Sequence, residues 1–299
     1  MIGMQQARTP TRSKIIGWLP LVALPSVALA FYNLLAPWVF MWILAISIYA
    51  GLKWLTWWNA RNRIHHEAWR AIAYLVAWPG MDAEAFLSCS SHVSRPRIRE
   101  WLRAVFVMCA GAALLWIASR VPPPQLLLLR GWIGMLGLIL LLHFGIFQIV
   151  ALFWQNLGID AQPIMSAPLH SHSLSEFWGK RWNLGFRQLA HDLIFAPLHS
   201  RLGVGGAGLL VFVVSGLIHD LVISLPARGG YGLPTLYFTL QGIGVAVQRS
   251  SLGSKLNLLR GYRGWMFMAA FTAAPVYFLF HPPFVLHVII PFMKAIHAQ

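Results

Sequence analysis

Acidic residues are the scarcest feature of this chain, with eight Asp and Glu against 23 Lys and Arg in 299 residues. Charged residues of both signs reach only 10%, whereas a soluble domain carries about 25%. That shortage excludes an ordinary soluble globular protein. Cysteine is nearly absent too: Cys89 and Cys109 form neither a disulfide framework nor a metal-binding pattern. No Gly-x-Ser-x-Gly elbow is present and neither cysteine adjoins a histidine, so nothing in the sequence calls for a covalent acyl-enzyme. Disorder is excluded by what remains, 58% hydrophobic and 13% aromatic residues. The composition is that of a polytopic all-α membrane protein.

The net charge of +15 does not read as a nucleic-acid footprint, because the basic residues punctuate apolar runs instead of forming one soluble face. In membrane proteins such positions mark cytoplasmic loops. Anionic lipid heads and anionic cytosolic ligands are therefore the expected partners.

A spanning helix needs about 20 mainly apolar residues. Runs of that kind cover residues 15–34, 38–57, 101–118, 131–153, 203–223, 233–247, 265–280 and 284–296, the last short and interrupted by Pro291. The expectation is about eight crossings. Two weaker pieces, 71–78 and 186–198, are expected to be interfacial or re-entrant. With the first residues inside, all Lys and Arg except Arg120, Arg130 and Arg228 fall on inner segments. The positive-inside rule then places both termini in the cytoplasm. Residues 1–11 lack a signal-peptide pattern. Without internal repeats, one integral domain over residues 1–299 is the simplest organisation, with the chemistry-bearing motifs in 143–249.

Ionisable groups inside apolar runs cost at least ~2.5 kcal/mol on insertion scales and are functional candidates by default. His219-Asp220 ends the run that begins at Leu209, one turn after Ser215-Gly216, and His143 sits inside 138–150. For His143 a helix–helix hydrogen bond is an equally good reading. A second constellation runs from Ser173 to Asn183: Ser-Leu-Ser-Glu-Phe-Trp-Gly-Lys-Arg-Trp-Asn. Ser173 and Glu176 have capping-box spacing. On an α-helix Phe177 would share a face with Arg181, and Trp178 with Trp182. An interfacial anchor explains those aromatic and basic residues but does not require Asn183. His170-Ser-His172 has no further ligand cluster, and the glycines of 203–208 lack the Lys-Ser/Thr ending of a phosphate loop.

Taken together, these motifs resemble the membrane-bound O-acyltransferase superfamily, in its wax synthase-like branch. The Ser173–Asn183 block matches the family's first motif, and Ser215-Gly-Leu-Ile-His219-Asp220 its second, with Asp220 where the family usually has Glu. His143-Phe-Gly, Trp154-Gln-Asn-Leu-Gly158, Ile164-Met-Ser-Ala-Pro168-Leu, Tyr74-Leu-Val-Ala-Trp-Pro-Gly-Met-Asp82 and Gly230-Tyr-Gly-Leu-Pro-Thr-Leu-Tyr-Phe238 also resemble family positions. The likeness covers residues 71–87 and 143–249. It implies acyl transfer from acyl-CoA, bound as a co-substrate with no permanent cofactor or metal, to the hydroxyl of a lipophilic alcohol, giving a wax ester. His219 would be the general base and Asn183 the second active-site residue, supported by Asp220, Trp182, Trp178 and His143. Lys180, Arg181 and Arg187 are candidate phosphate contacts for CoA, since guanidinium forks suit phosphate. Diacylglycerol, a sterol or a specialised metabolite is the alternative acceptor within the family. A transporter or a non-catalytic lipid-binding protein is the rival from another class, but transporters tend to show matching halves. Here the polar residues cluster after 143. A bacterial inner membrane is the expected location.

Overall fold

The computed structural model describes residues 11–88 and 93–299, so Cys89 and the first ten residues lie outside the described residues. Among them every regular element is helical. The chain opens with α1 (Thr11–Ala30) and α2 (Pro37–Ala60), whose start is set by Pro37 in the first turn. These two pack as a hairpin, closed where Tyr32 meets Phe40 edge-on. Two short helices follow, α3 (Ala68–Ala77) and α4 (Ala83–Leu87). Pro79 and Gly80 part them. The apolar piece expected at 71–78 is thus a ten-residue helix, about 15 Å at 1.5 Å per residue and too short to cross.

Next comes α5 (Ile98–Trp116), followed by α6 (Leu127–Ile139), which runs through a π-helical turn at Leu140–Ile146 into α7 (Phe147–Asn156). Gly111 and Gly137 let α5 and α6 touch: a Cβ on Gly111 would stand 2.5 Å from the Leu141 nitrogen. After a loop come the one-turn α8 (Leu174–Glu176) with a π-turn at Phe177–Arg181, and α9 (Leu184–Ala190) with another at His191–Phe195. The chain continues into α10 (Ala196–His219), kinked at Gly203 (φ 68°, ψ 171°), then a π-turn at Asp220–Ser224 and α11 (Leu225–Ala227). The remainder is α12 (Leu233–Arg249), α13 (Ser251–Lys255), α14 (Gly261–Ala273), α15 (Val276–Leu279), α16 (Pro282–Phe284), a π-turn at Val285–Ile289 and α17 (Ile290–Ala295).

Four of these helices are long and apolar enough to cross a membrane: Pro37–Ala60, Ile98–Arg120, Leu127–Asn156 and Leu184–Ala227. Gly261–Leu279 and Pro282–Ala295 make a fifth if the pair, bent by 60°, counts as one span. Four or five such spans among the described residues mark a multi-pass integral membrane protein, and the eight expected crossings are not all present there as separate helices. The runs at 265–280 and 284–296 belong to the one bent pair, and the run at 233–247 makes a helix of only 17 residues. The piece at 186–198 leads into the start of α10, which kinks at Gly203.

Candidate active site

Asn183 sits at the start of α9 with left-handed backbone angles (φ 46°, ψ 60°), a conformation that asparagine tolerates better than most residues. The segment 164–166 holds it there. Ser166 N–H donates to the Arg181 carbonyl at 2.8 Å and Leu184 N–H to the Ile164 carbonyl at 2.9 Å, one on each side of Asn183. Its own N–H points at Met165 Sδ, 3.3 Å away. From behind, Gly185 abuts the Gly80–Met81 turn, where a Cβ would stand 3.2 Å from the Met81 nitrogen. The backbone is thus pinned on three sides. The side-chain amide forms no hydrogen bond among the described residues.

The turn before Asn183 is π-helical, closed by the Trp182 N–H on the Phe177 carbonyl at 2.9 Å. One extra residue per turn changes the pairing expected from an α-helix. Trp182 stacks on Phe177 (5.3 Å between centroids, 16°) and meets Trp178 only edge-on at 6.4 Å. Arg181 pairs with Glu176 at 2.7 Å instead of sharing a face with Phe177. Ser173 Oγ accepts the Glu176 N–H at 3.0 Å, so half of the capping box forms, but the Glu176 carboxylate turns to the His172 N–H at 2.8 Å. Partial burial pushes the Glu176 carboxyl up, yet the His172 N–H and the Arg181 guanidinium outweigh it and hold the group below its usual range.

His219 ends α10, half-buried. Its Nδ1 lies 2.7 Å from the Ser215 carbonyl, one turn back. A carbonyl only accepts, so Nδ1 carries the proton, and in the neutral ring Nε2 presents a bare lone pair. The Phe238 ring lies against the imidazole at 4.3 Å. Asp220, next in sequence, makes no bond to His219. Its Oδ1 accepts from Gly232 N–H (2.8 Å) and Ser224 hydroxyl (2.9 Å); its Oδ2 accepts from Thr235 N–H (3.0 Å) and the Thr235 hydroxyl. Both oxygens are therefore spent on the first turn of α12 and on the π-turn. This places a carboxylate where the α12 dipole favours one.

Ring contacts link the two motifs. Trp182 meets Trp178, Trp178 meets Phe238 at 5.7 Å, and Phe238 covers His219. Trp178 also touches Phe212 on α10 and donates its indole N–H to Gln241. Gln241 and Gln248, two turns apart on α12 and fully buried, were not singled out from the sequence. Gln241 donates to the Phe271 carbonyl at 2.6 Å, and Gln248 accepts from Ser175 N–H at 3.1 Å. Polar amides recurring along an apolar run were the available signal. Together they clamp the Ser173–Asn183 block to α12.

The remaining predicted residues divide. Lys180 and Arg187 are exposed. Arg181 is committed to Glu176 and leans on the Ser166 and Ala167 carbonyls. His143 lies in the π-turn of Leu140–Ile146, against Phe147, its Nδ1 buried without a well-formed hydrogen bond. Its neighbour Phe144 reaches Trp182 at 6.2 Å. No group of three His, Cys, Asp or Glu able to hold a metal is found among the described residues.

Comparison with known proteins sharpens the resemblance. Residues 161–240, which contain Asn183 and His219, match the model of the membrane bound O-acyl transferase family. A long-chain-alcohol O-fatty-acyltransferase of Simmondsia chinensis is 30% identical over 144 residues, covering 44% of this chain and 41% of the relative. A probable long-chain-alcohol O-fatty-acyltransferase 7 of Arabidopsis thaliana is 29% identical over 145 residues (43% and 42%). An acyl-CoA–sterol O-acyltransferase 1, also of Arabidopsis thaliana, is 34% identical over 77 residues (23% and 22%). The matched segment spans less than half the length of these relatives, which are plant proteins.

Proposed function

The likeness just reported is to the membrane-bound O-acyltransferase superfamily, wax synthase-like branch, and from it we propose that this chain transfers an acyl group from acyl-CoA to the hydroxyl of a long-chain alcohol, forming a wax ester and free CoA. The observation that carries this reading is the 2.7 Å contact between His219 Nδ1 and the Ser215 carbonyl. With Nδ1–H tied to the Ser215 carbonyl, Nε2 is left to accept a proton. An alcohol becomes a competent nucleophile only as a base removes its proton, and a positioned base contributes about 10²–10⁴-fold.

The hydroxyl oxygen attacks the thioester carbonyl carbon as its proton passes to His219 Nε2. The carbon–sulfur bond then breaks and the imidazolium returns the proton to the departing thiolate. The unpartnered Asn183 amide donates to the carbonyl oxygen as it becomes an oxyanion, adding no charge to an apolar site. The acyl chain contributes about 0.8 kcal/mol of binding per buried methylene. Lys180 and Arg187, with free heads, are the first contacts for the CoA phosphates; Arg181 is already neutralised by Glu176. Among acceptors, the names of the first two relatives favour a long-chain alcohol, and a sterol is the other arm of the test.

Purified protein given radiolabelled acyl-CoA with long-chain alcohols, sterols and diacylglycerols should form ester with the alcohols. His219→Ala protein that retains its helical spectrum should form none. Normal ester formation by that variant would overturn the assignment of the base.

A further inference from the structure

His281 is fully buried at the bend between α15 and α16, and the mechanism above does not use it. Its two nitrogens have distinct partners. Phe284 N–H donates to Nδ1 at 3.2 Å, so in the neutral ring the proton lies on Nε2. Nε2 stands 3.1 Å from Ser224 Oγ and donates to it. The Ser224 hydroxyl then turns its own proton to Asp220 Oδ1 at 2.9 Å. The direction of this chain matters. A ring already protonated at Nε2 cannot take the serine proton, so His281, Ser224 and Asp220 do not form a nucleophilic triad.

The surrounding backbone is built to admit the ring. A Cβ on Gly230 would come within 2.5 Å of three ring atoms of His281, and Gly230 has φ +73°. Two residues on, Gly232 N–H donates to the same Asp220 oxygen that Ser224 reaches. Asp220 in turn holds Thr235, and a Cβ on Gly216 would lie 2.6 Å from the Thr235 Cα, so α10 and α12 touch backbone to backbone there. Phe238, one turn after Thr235, is the ring against His219.

We propose that His281 is a positioning residue for acyl transfer: through Ser224 it fixes the Asp220 carboxylate, which anchors the first turn of α12 and sets Phe238 against the His219 ring. The proposal rests on the reading of His219 as the base. Its test uses the two functions of the ring separately, in the purified full chain. In His281→Asn the amide oxygen can still accept the Phe284 N–H, but the side chain is too short to reach Ser224. In His281→Gln the longer amide can donate to Ser224 while the cap is lost. Outer-shell residues that orient metal ligands typically cost about 10–100-fold when removed, and an orienting residue is expected to cost a similar factor here. The Asn variant should lose that much in kcat with KM for acyl-CoA within about 2-fold, and the Gln variant should recover most of it. Ser224→Ala, which deletes the relay and leaves His281 capped, should behave like the Asn variant.

A second readout is independent of turnover. In protein labelled with 15N-histidine, the His219 ring signals feel the Phe238 ring current and should move in His281→Asn and Ser224→Ala but not in His281→Gln. Unchanged kcat and unchanged His219 signals in His281→Asn would overturn the proposal. So would losses in both His281 variants that only follow the folded fraction. If the native protein makes no ester while the His219 signals still move, acyl transfer fails and the positioning stands.

Discussion

The two ends of this protein both bury polar side chains in apolar surroundings, but they use them differently. Near the beginning, Lys53 lies over the Tyr74 ring and donates to the Gly80 carbonyl at 2.6 Å. Tyr49 donates to the Trp78 carbonyl at 3.0 Å, Thr56 bonds the Tyr74 hydroxyl at 2.7 Å, and Trp154 reaches the Ala77 carbonyl at 3.0 Å. Lys53, Tyr49 and Trp154 thus satisfy the irregular backbone around Pro79 and Gly80, where water cannot. Around Asn183 and His219, one nitrogen of the imidazole and the whole carboxamide form no hydrogen bond among the described residues. A buried charge is therefore a poor guide to chemistry by itself. Unused hydrogen-bonding capacity next to a rigid backbone is the better one.

Substitutions in the two regions should separate cleanly. Asn183→Gly, which keeps the left-handed backbone without strain, should lower kcat by about 10²–10³-fold, the cost of one oxyanion donor, with little change in thermal midpoint. Lys53→Ala should do the reverse. The truncation leaves a cavity and orphans the Gly80 carbonyl, for about 2–5 kcal/mol of stability, while the activity per folded molecule stays near that of the native protein. Thermal melts alongside acyl transfer rates test both, and a crossed result, with Asn183 destabilising and Lys53 inactivating, would break the comparison.

The smallest effect expected is at Glu176. Its carboxyl titrates below its usual range when folded, so its contribution to stability is complete above the unfolded value of about 4.3. It is lost as pH falls through the lower folded value. Glu176→Gln should lower stability at neutral pH by no more than about 1 kcal/mol, as befits a partly exposed ion pair, and flatten the acid side of a plot of melting temperature against pH, where the native protein loses the same contribution.

Much of this site was legible before the structure. His219 stood out because a histidine does not belong in an apolar run, and Asn183 because the family resemblance marks it. The pairing of Trp182 with Phe177 and of Arg181 with Glu176 was not legible, since a wheel at 3.6 residues per turn cannot show a π-turn. The role of Asp220 was hidden for another reason. Its partners come from Ser224, Gly232 and Thr235, across a turn whose shape depends on positive φ at Arg228, Gly230 and Gly232. Pro234 in the first turn of α12 did mark a helix start there. The count of eight spans is not confirmed, because hydropathy sees composition but not direction: Pro282 and Pro283 sit at the break where the last two apolar runs bend by 60°.

The account depends most on which nitrogen of His219 holds the proton. Nitrogen chemical shifts of 15N-histidine protein in lipid nanodiscs near pH 7.5, with His219→Ala to assign the signal, read this directly. A neutral ring protonated at Nδ1, with Nε2 bare, is the predicted result. A ring protonated at Nε2, or at both nitrogens, would contradict it.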